Sequence, residues 1–169
     1  MPRVTVPDGP EHITDRVYAL QPAYAEPARM MREAVTYHSV LPERMKEAVR
    51  YRIAQINGCL LCQAARTPAA AEAGFTEAMY AQVDRAQDSE EFDAREKLAI
   101  EFAELFALDH HRLDDQFFTR LHDLFSESEI VDLTFYTGCY MAFGRLTHVL
   151  GLDDSCVLDL ARPAAALAH

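Results

Sequence analysis

The segment INGCLLCQAAR, residues 56–66, sets Cys59 and Cys62 three positions apart, directly after Asn57-Gly58. Thiols at that spacing suit three roles: a redox dithiol, half of a metal site, or plain core packing. On a helix they share one face, with Cβ atoms about 5–6 Å apart. A loose first turn closes that gap to disulfide range. Asn-Gly is a helix breaker, so a new helix is expected to open at Cys59. Unpaired amides and the positive end of the helix dipole would then favour a thiolate and lower its pKa. Cys59, nearer the start, would feel the dipole more, while exposure decides which sulfur attacks.

The rival roles have less to build on. Structural zinc needs about four ligands, commonly from a second CxxC or a spaced histidine pair. The leftover thiols, Cys139 and Cys156, recreate no such knuckle, and the adjacent His110 and His111 cannot both face one point on a helix. No metal is expected. Packed thiols are the default for Cys139 and Cys156 taken singly.

A dithiol of this kind needs a group to move its proton. Glu47 precedes Cys59 by twelve residues. In one unbroken helix they would stand about 18 Å apart, so contact requires the chain to turn back at Asn57-Gly58. Folded back and partly desolvated, Glu47 would serve as a base or water-orienting group. Otherwise it is a solvated glutamate beside Glu43, Lys46 and Arg50. Tyr51 shares its face and either bonds within the same pocket or closes the core edge. Arg66 would set a guanidinium on the cysteine face, or lie at the surface. His38, near the end of the preceding helix, is a histidine with some reach toward the site, and a satisfied half-buried side chain is its plainer reading. His12 and His169 read as end residues without a role. His110, His111, His122 and His148 read as caps, surface or filler.

The elements that must hold these groups are all-α. A proline-rich arm over residues 1–27 reads as extended with one short turn, a helical domain follows over 28–151, and a tail covers 152–169. Hydrophobic positions recur at three and four in Met45, Val49, Ile53 and Ile56, a helix from Pro42 to the Asn-Gly break. The next is expected to run from Cys59 toward Ala73. Thr76 caps another, and Asp93 with Glu96, then Ser126 with Glu129, are capping boxes. The helix after Ser126 is apolar on nearly every face, which predicts a central position surrounded by others. About six or seven helices result, and no alternating strand pattern appears.

Composition narrows the function classes. The 169 residues suit one domain, and a net charge of -11 argues against nucleic acid or an anionic membrane as partner. No apolar run reaches membrane length and residues 1–20 lack a signal-peptide centre, so a cytoplasmic protein is expected. Four cysteines do not make a disulfide framework at this size. Without a glycine-rich phosphate loop, no flavin or nicotinamide cofactor is expected.

Glu47, Cys59 and Cys62 together carry a family likeness. The run ERMKEAVRYRIAQINGCLLC resembles the carboxymuconolactone decarboxylase/AhpD-like alkylhydroperoxidase family. So do DAREKLAIEFAELFALDHHRLDDQFF and FSESEIVDLTFYTGCYMAFGRL, and the likeness spans about residues 28–150. It implies an AhpD-like helical bundle that forms trimers or hexamers. In the AhpD branch a CxxC dithiol reduces a peroxiredoxin partner or, more weakly, hydroperoxides directly, with electrons from a dihydrolipoyl protein. A glutamate twelve residues before the first cysteine assists there, matching Glu47, and the dithiol matches Cys59 and Cys62. Three positions depart from the pattern: Arg66 replaces a histidine four residues after the second cysteine, Leu60-Leu61 replaces another between the cysteines, and Gly144 replaces an asparagine before Arg145-Leu146. The family's proton relay is therefore incomplete, leaving Glu47 through water, or His38 or another histidine, to finish it. The lactone-decarboxylating branch works without a redox dithiol, and this chain keeps one. The expectation is a thiol-dependent oxidoreductase, a peroxidase or disulfide reductase, with Leu60, Leu61, Phe75 and Tyr51 offering organic hydroperoxides an apolar approach. The alternative is a non-catalytic helical oligomer whose CxxC is a redox sensor or a relic.

Overall fold

In the computed structural model, which describes residues 1–153, the chain runs through nine α-helices and two 3-10 turns. They are α1 (Ile13–Tyr18), α2 (Pro22–Tyr37), α3 (Glu43–Ile56), α4 (Leu60–Ala64), α5 (Pro68–Glu72), α6 (Glu77–Tyr80), a turn at Val83–Asp88, α7 (Ala94–Leu108), a turn at His110–Arg112, α8 (Asp115–Leu124) and α9 (Glu127–Val149). The count exceeds the expected six or seven for two local reasons. The arm contains α1, and α2 begins at Pro22, where a fixed φ and a missing N–H suit the first helical position. The helix predicted from Cys59 to Ala73 divides into α4 and α5. Pro68 forces Thr67 into extended backbone (φ -86°, ψ 129°), and α4 has already stopped at Ala64.

Both capping boxes form as read. The Glu96 amide donates to Asp93 at 2.8 Å and the Asp93 amide donates to the Glu96 carboxylate at 3.0 Å. Ser126 and Glu129 exchange the same pair of bonds at the start of α9. Thr76 caps α6 by accepting from the Met79 amide.

α3 is the organising helix. It packs on α7 and α9 through Met45, Val49 and Ile53, which meet Leu98, Phe102, Leu133 and Tyr136 in the main core. A fully buried side chain of this kind contributes about 1.5–3 kcal/mol relative to exposure. A second cluster gathers Ala48 of α3 with Phe75, Met79, Tyr80, Phe92 and Ile100. The arm lies along the end of α9: the Arg3 amide donates to the Leu150 carbonyl at 2.8 Å, and Val4 and Val6 pack beside Ile13, Val17 and Leu152.

One expectation about α9 needs correcting. It is not enclosed on every side. Leu133 and Tyr136 face the core, but Val131, Phe135, Leu146 and Val149 form an exposed stripe along the same helix. No helix among the described residues is long and apolar enough to cross a membrane. Most of the tail, including Cys156 and His169, lies outside the described residues.

Candidate active site at the Cys59–Cys62 pair

The turn that delivers the cysteines follows from Asn57-Gly58. Gly58 takes φ +66°, its amide donates to the Gln55 carbonyl, and the Cys59 amide donates to the Ala54 carbonyl. That paired closure ends α3 in a left-handed glycine, a conformation that costs other residues about 1–2 kcal/mol. The chain reverses there, and α4 packs back on α3. Cys59 is thereby tied to the end of α3 while acting as N-cap of α4, its sulfur accepting the Cys62 amide at 3.2 Å. The expected helix start at the first cysteine is present, although α4 has only five residues.

Cys59 and Cys62 are joined by a disulfide, with Cα atoms 5.3 Å apart. Their surroundings differ sharply. Cys59 is 0% exposed, whereas Cys62 is half-buried and lines a cavity of about 520 Å³. Ile53, Leu61, Tyr140 and Phe143 give that cavity apolar walls, and α1 and α2 close its far side. Cys62, and not Cys59, is the cysteine of the pair that borders the cavity. Proximity to the helix start favours Cys59, but access selects Cys62.

Behind the disulfide lies a buried ionic network. Glu47, 2% exposed, accepts two bonds from the Arg50 guanidinium at 2.6 and 2.9 Å. It also accepts from the Thr67 hydroxyl at 3.1 Å and from the Tyr80 hydroxyl. Burial by itself would raise the Glu47 pKa, but Arg50 and the two hydroxyls outweigh it and hold the carboxyl below its ordinary value. The Tyr80 phenol moves the other way, pushed up by burial and by the carboxylate it faces. Arg50 then reaches on to the cysteine helix. It donates to the Cys62 carbonyl at 2.5 Å and to the Ala65 carbonyl at 3.2 Å. These are orphan acceptors at the end of a helix too short to satisfy its own carbonyls.

The sequence-predicted residues are thus distributed unevenly. Glu47 approaches the pair through Arg50. Tyr51 packs its ring edge-on against Tyr80, with centroids 4.9 Å apart. Arg66 is directed to Glu77 at 2.8 Å and to the Gln63 and Ala65 carbonyls, with its guanidinium 3.7 Å over the Tyr80 ring. The break at Thr67-Pro68 carries it away from the cysteine face. His38 caps the end of α2 in an exposed position, and it does not line the cavity. Leu61 lines the cavity, whereas Leu60 is exposed and Phe75 is core. Four participants were missed. Arg50 read as a surface charge, although its place three residues after Glu47 was a signal for pairing. The Thr67-Pro68 dipeptide marked the turn that presents the Thr67 hydroxyl. Tyr80 and His12, the latter on the cavity wall, come from elements whose packing no local pattern announces. Cys139, read as core packing, is buried in α9, and burial pushes its thiol up to about 11.

Fold and site together define a class: an all-helical bundle presenting a CxxC disulfide on the wall of a largely apolar cavity. Residues 22–105 match the carboxymuconolactone decarboxylase family, and the chain belongs to that family; its fold is AhpD-like. It is 24% identical over 141 residues to the uncharacterized protein YdfG of Bacillus subtilis, covering 72% of this chain and 96% of YdfG. It is 29% identical over 132 residues to the uncharacterized protein Rv2313c of Mycobacterium tuberculosis, covering 78% of this chain but only 44% of that longer protein. Among solved structures, a peroxidase-related protein from Silicibacter sp. TM1040 superposes with a TM-score of 0.70 at 17% identity, over 82% of this chain and 73% of that one. The alkylhydroperoxidase AhpD core from Ralstonia eutropha JMP134 gives 0.68 at 17%, over 80% and 72%. At those identities the likeness establishes the fold.

Proposed function

We propose that the protein is a thiol-dependent oxidoreductase that reduces organic hydroperoxides, or a partner disulfide, with the Cys59–Cys62 dithiol. The observation that carries this reading is the asymmetry of the pair: one sulfur open to a cavity, its partner sealed behind it. The Cys62 thiolate attacks the terminal peroxide oxygen, the O–O bond breaks, and the alkoxide leaves and takes a proton. Cys62 is then a sulfenic acid. The Cys59 thiol displaces its hydroxyl, which departs as water, and the internal disulfide forms. A dithiol donor attacks the accessible Cys62 sulfur, and Cys59 leaves as a thiolate. The Cys62 amide, already pointed at the Cys59 sulfur, stabilises that leaving group. The donor's second thiol closes its own disulfide. Hydroperoxide and donor dithiol thus become alcohol, water and donor disulfide.

Glu47 serves this cycle as an ionised carboxylate. Occupied by Arg50, Thr67 and Tyr80, it orders the network beneath the pair instead of reaching into the cavity as a free base. The family supports a dihydrolipoyl or similar dithiol donor, and a peroxiredoxin disulfide as an alternative oxidant. A reducing compartment such as the cytosol suits the cycle. We assign the exposed α9 stripe to self-association, in line with the trimers or hexamers of the family.

The test is a thiol count on reduced protein before and after an alkyl hydroperoxide. Loss of two thiols per chain, restored by dihydrolipoamide and abolished in Cys59→Ser and Cys62→Ser, is expected. Thiols that stay silent toward hydroperoxides and disulfides alike would end the enzyme reading and leave the sensor or relic.

A further inference from the structure

We infer that Arg50 is the cation that holds Cys62 as a thiolate, in the place where the family pattern has a histidine and where the sequence suggests Arg66. This rests on the dithiol reading above and adds a residue to it. Three observations carry it. The Arg50 guanidinium bonds the carbonyl of Cys62 itself, and it lines the same cavity as that residue's side chain. A carbonyl oxygen stands within about 5 Å of its own residue's γ sulfur, which puts the guanidinium within roughly 7–8 Å of the reacting atom. The position is also fixed, because Arg50 is buried on α3 and clamped by four side-chain bonds: two to Glu47, one to the Cys62 carbonyl and one to the Ala65 carbonyl.

The other charges around the cavity are accounted for locally. Arg32 pairs with Asp15 at 2.6 Å and lies over the Tyr18 and Phe143 rings. Arg29 pairs with Glu26 and Glu33. Arg66 is committed to Glu77. Burial drives the His12 pKa below its ordinary 6.5, so this imidazole is uncharged near neutrality. Tyr37 and Tyr140 also line the wall. Arg50 is held as a cation despite its burial by Glu47, which does not line the cavity. A cation at this distance favours a thiolate by one to two pKa units at an effective dielectric of about 20, and partial cancellation by Glu47 brings the expectation to about one.

The experiment measures the pH dependence of iodoacetamide alkylation at each cysteine of the reduced full-length chain, resolved by peptide mass spectrometry. Wild type is compared with Arg50→Lys, Arg50→Met, Glu47→Gln and the Glu47→Gln/Arg50→Met pair. Arg50→Met should raise the Cys62 pKa by about one to two units, the whole effect of the cation, and slow its alkylation at pH 7 about ten-fold or more. Arg50→Lys should largely restore it. Glu47→Gln should shift it the opposite way, because the cation then acts uncompensated. The double variant leaves no buried lone charge, so it reports even where Arg50→Met fails to fold, and it should lie about one unit above wild type, between wild type and Arg50→Met. Cys139 serves as an internal reference for general loosening. Shifts of the same sign in Glu47→Gln and Arg50→Met, or none in either, would overturn the assignment. Peroxide-driven thiol loss is scored separately in wild type. Its absence, together with silence toward disulfides and alongside opposite shifts, defeats the oxidoreductase reading and leaves the role of Arg50 intact. Its presence without shifts does the reverse.

Discussion

Replacing Tyr80 with phenylalanine isolates one strand of the buried network. The ring contacts survive, since Phe keeps the edge-on packing against Tyr51 at 4.9 Å and Phe75 at 4.6 Å. What goes is one hydroxyl donated to the Glu47 carboxylate. A bond to a buried charged acceptor contributes about 1.5–3 kcal/mol, so Tyr80→Phe should lose about 2 kcal/mol at pH 7. For a chain of this size that is about 4–8 °C in Tm. The pH dependence carries the sharper test. The folded Glu47 pKa lies below the ordinary 4.5, so its contribution is complete above that value and is lost as pH falls through the folded value. Removing the hydroxyl moves the folded pKa back up. The difference between wild type and variant should therefore be full at pH 7 and narrow as pH falls through the folded values, where the carboxyl protonates in both. Urea unfolding of the oxidised proteins, followed by circular dichroism from pH 7 down to the acid limit of folding, measures it. A difference that stays constant across that range, or one below about 0.5 kcal/mol at pH 7, would show that the hydroxyl does not stabilise an ionised Glu47.

Other perturbations probe the scaffold around the site. With its thiol pushed up to about 11, Cys139 should resist iodoacetamide at pH 8, where about one thiol in a thousand is ionised, while Cys62 of the reduced protein reacts; peptide mass spectrometry reads both. Gly144→Ala would set a Cβ 2.5 Å from the Asn57 amide nitrogen, which donates to the Met141 carbonyl at 3.3 Å. It should cost about 1–3 kcal/mol in thermal unfolding and disturb the turn that precedes Cys59. Phe135→Asp tests the proposed self-association by charging the exposed α9 stripe at a residue 56% exposed: light scattering should report a monomer for the variant and a larger assembly for wild type, with helicity by circular dichroism unchanged.

Much of the architecture was legible because it is written in local signals. Capping boxes at Asp93 and Ser126, the Asn-Gly break and the three-four spacing of Met45, Val49 and Ile53 each act within a turn or two of chain, and each appears where the sequence places it. The errors are also local in origin. Proline at position 22 was read as disruptive when it suits a helix start, and Pro68 was passed over when it divides α4 from α5.

The sequence by itself determined the all-helical bundle, the family and the dithiol, because helix periodicity, capping and residue spacing need no partner from elsewhere in the chain. Tertiary structure alone decided how the site is wired. Whether Glu47 is solvated or buried depends on Tyr80, thirty-three residues away, and on Thr67, delivered by a proline break. Which cysteine borders the cavity depends on α1, α2 and α9, which line it together with Cys62 while Cys59 is fully buried. Burial and pairing across distant segments set both charge state and access, and neither is a property of any short stretch of sequence.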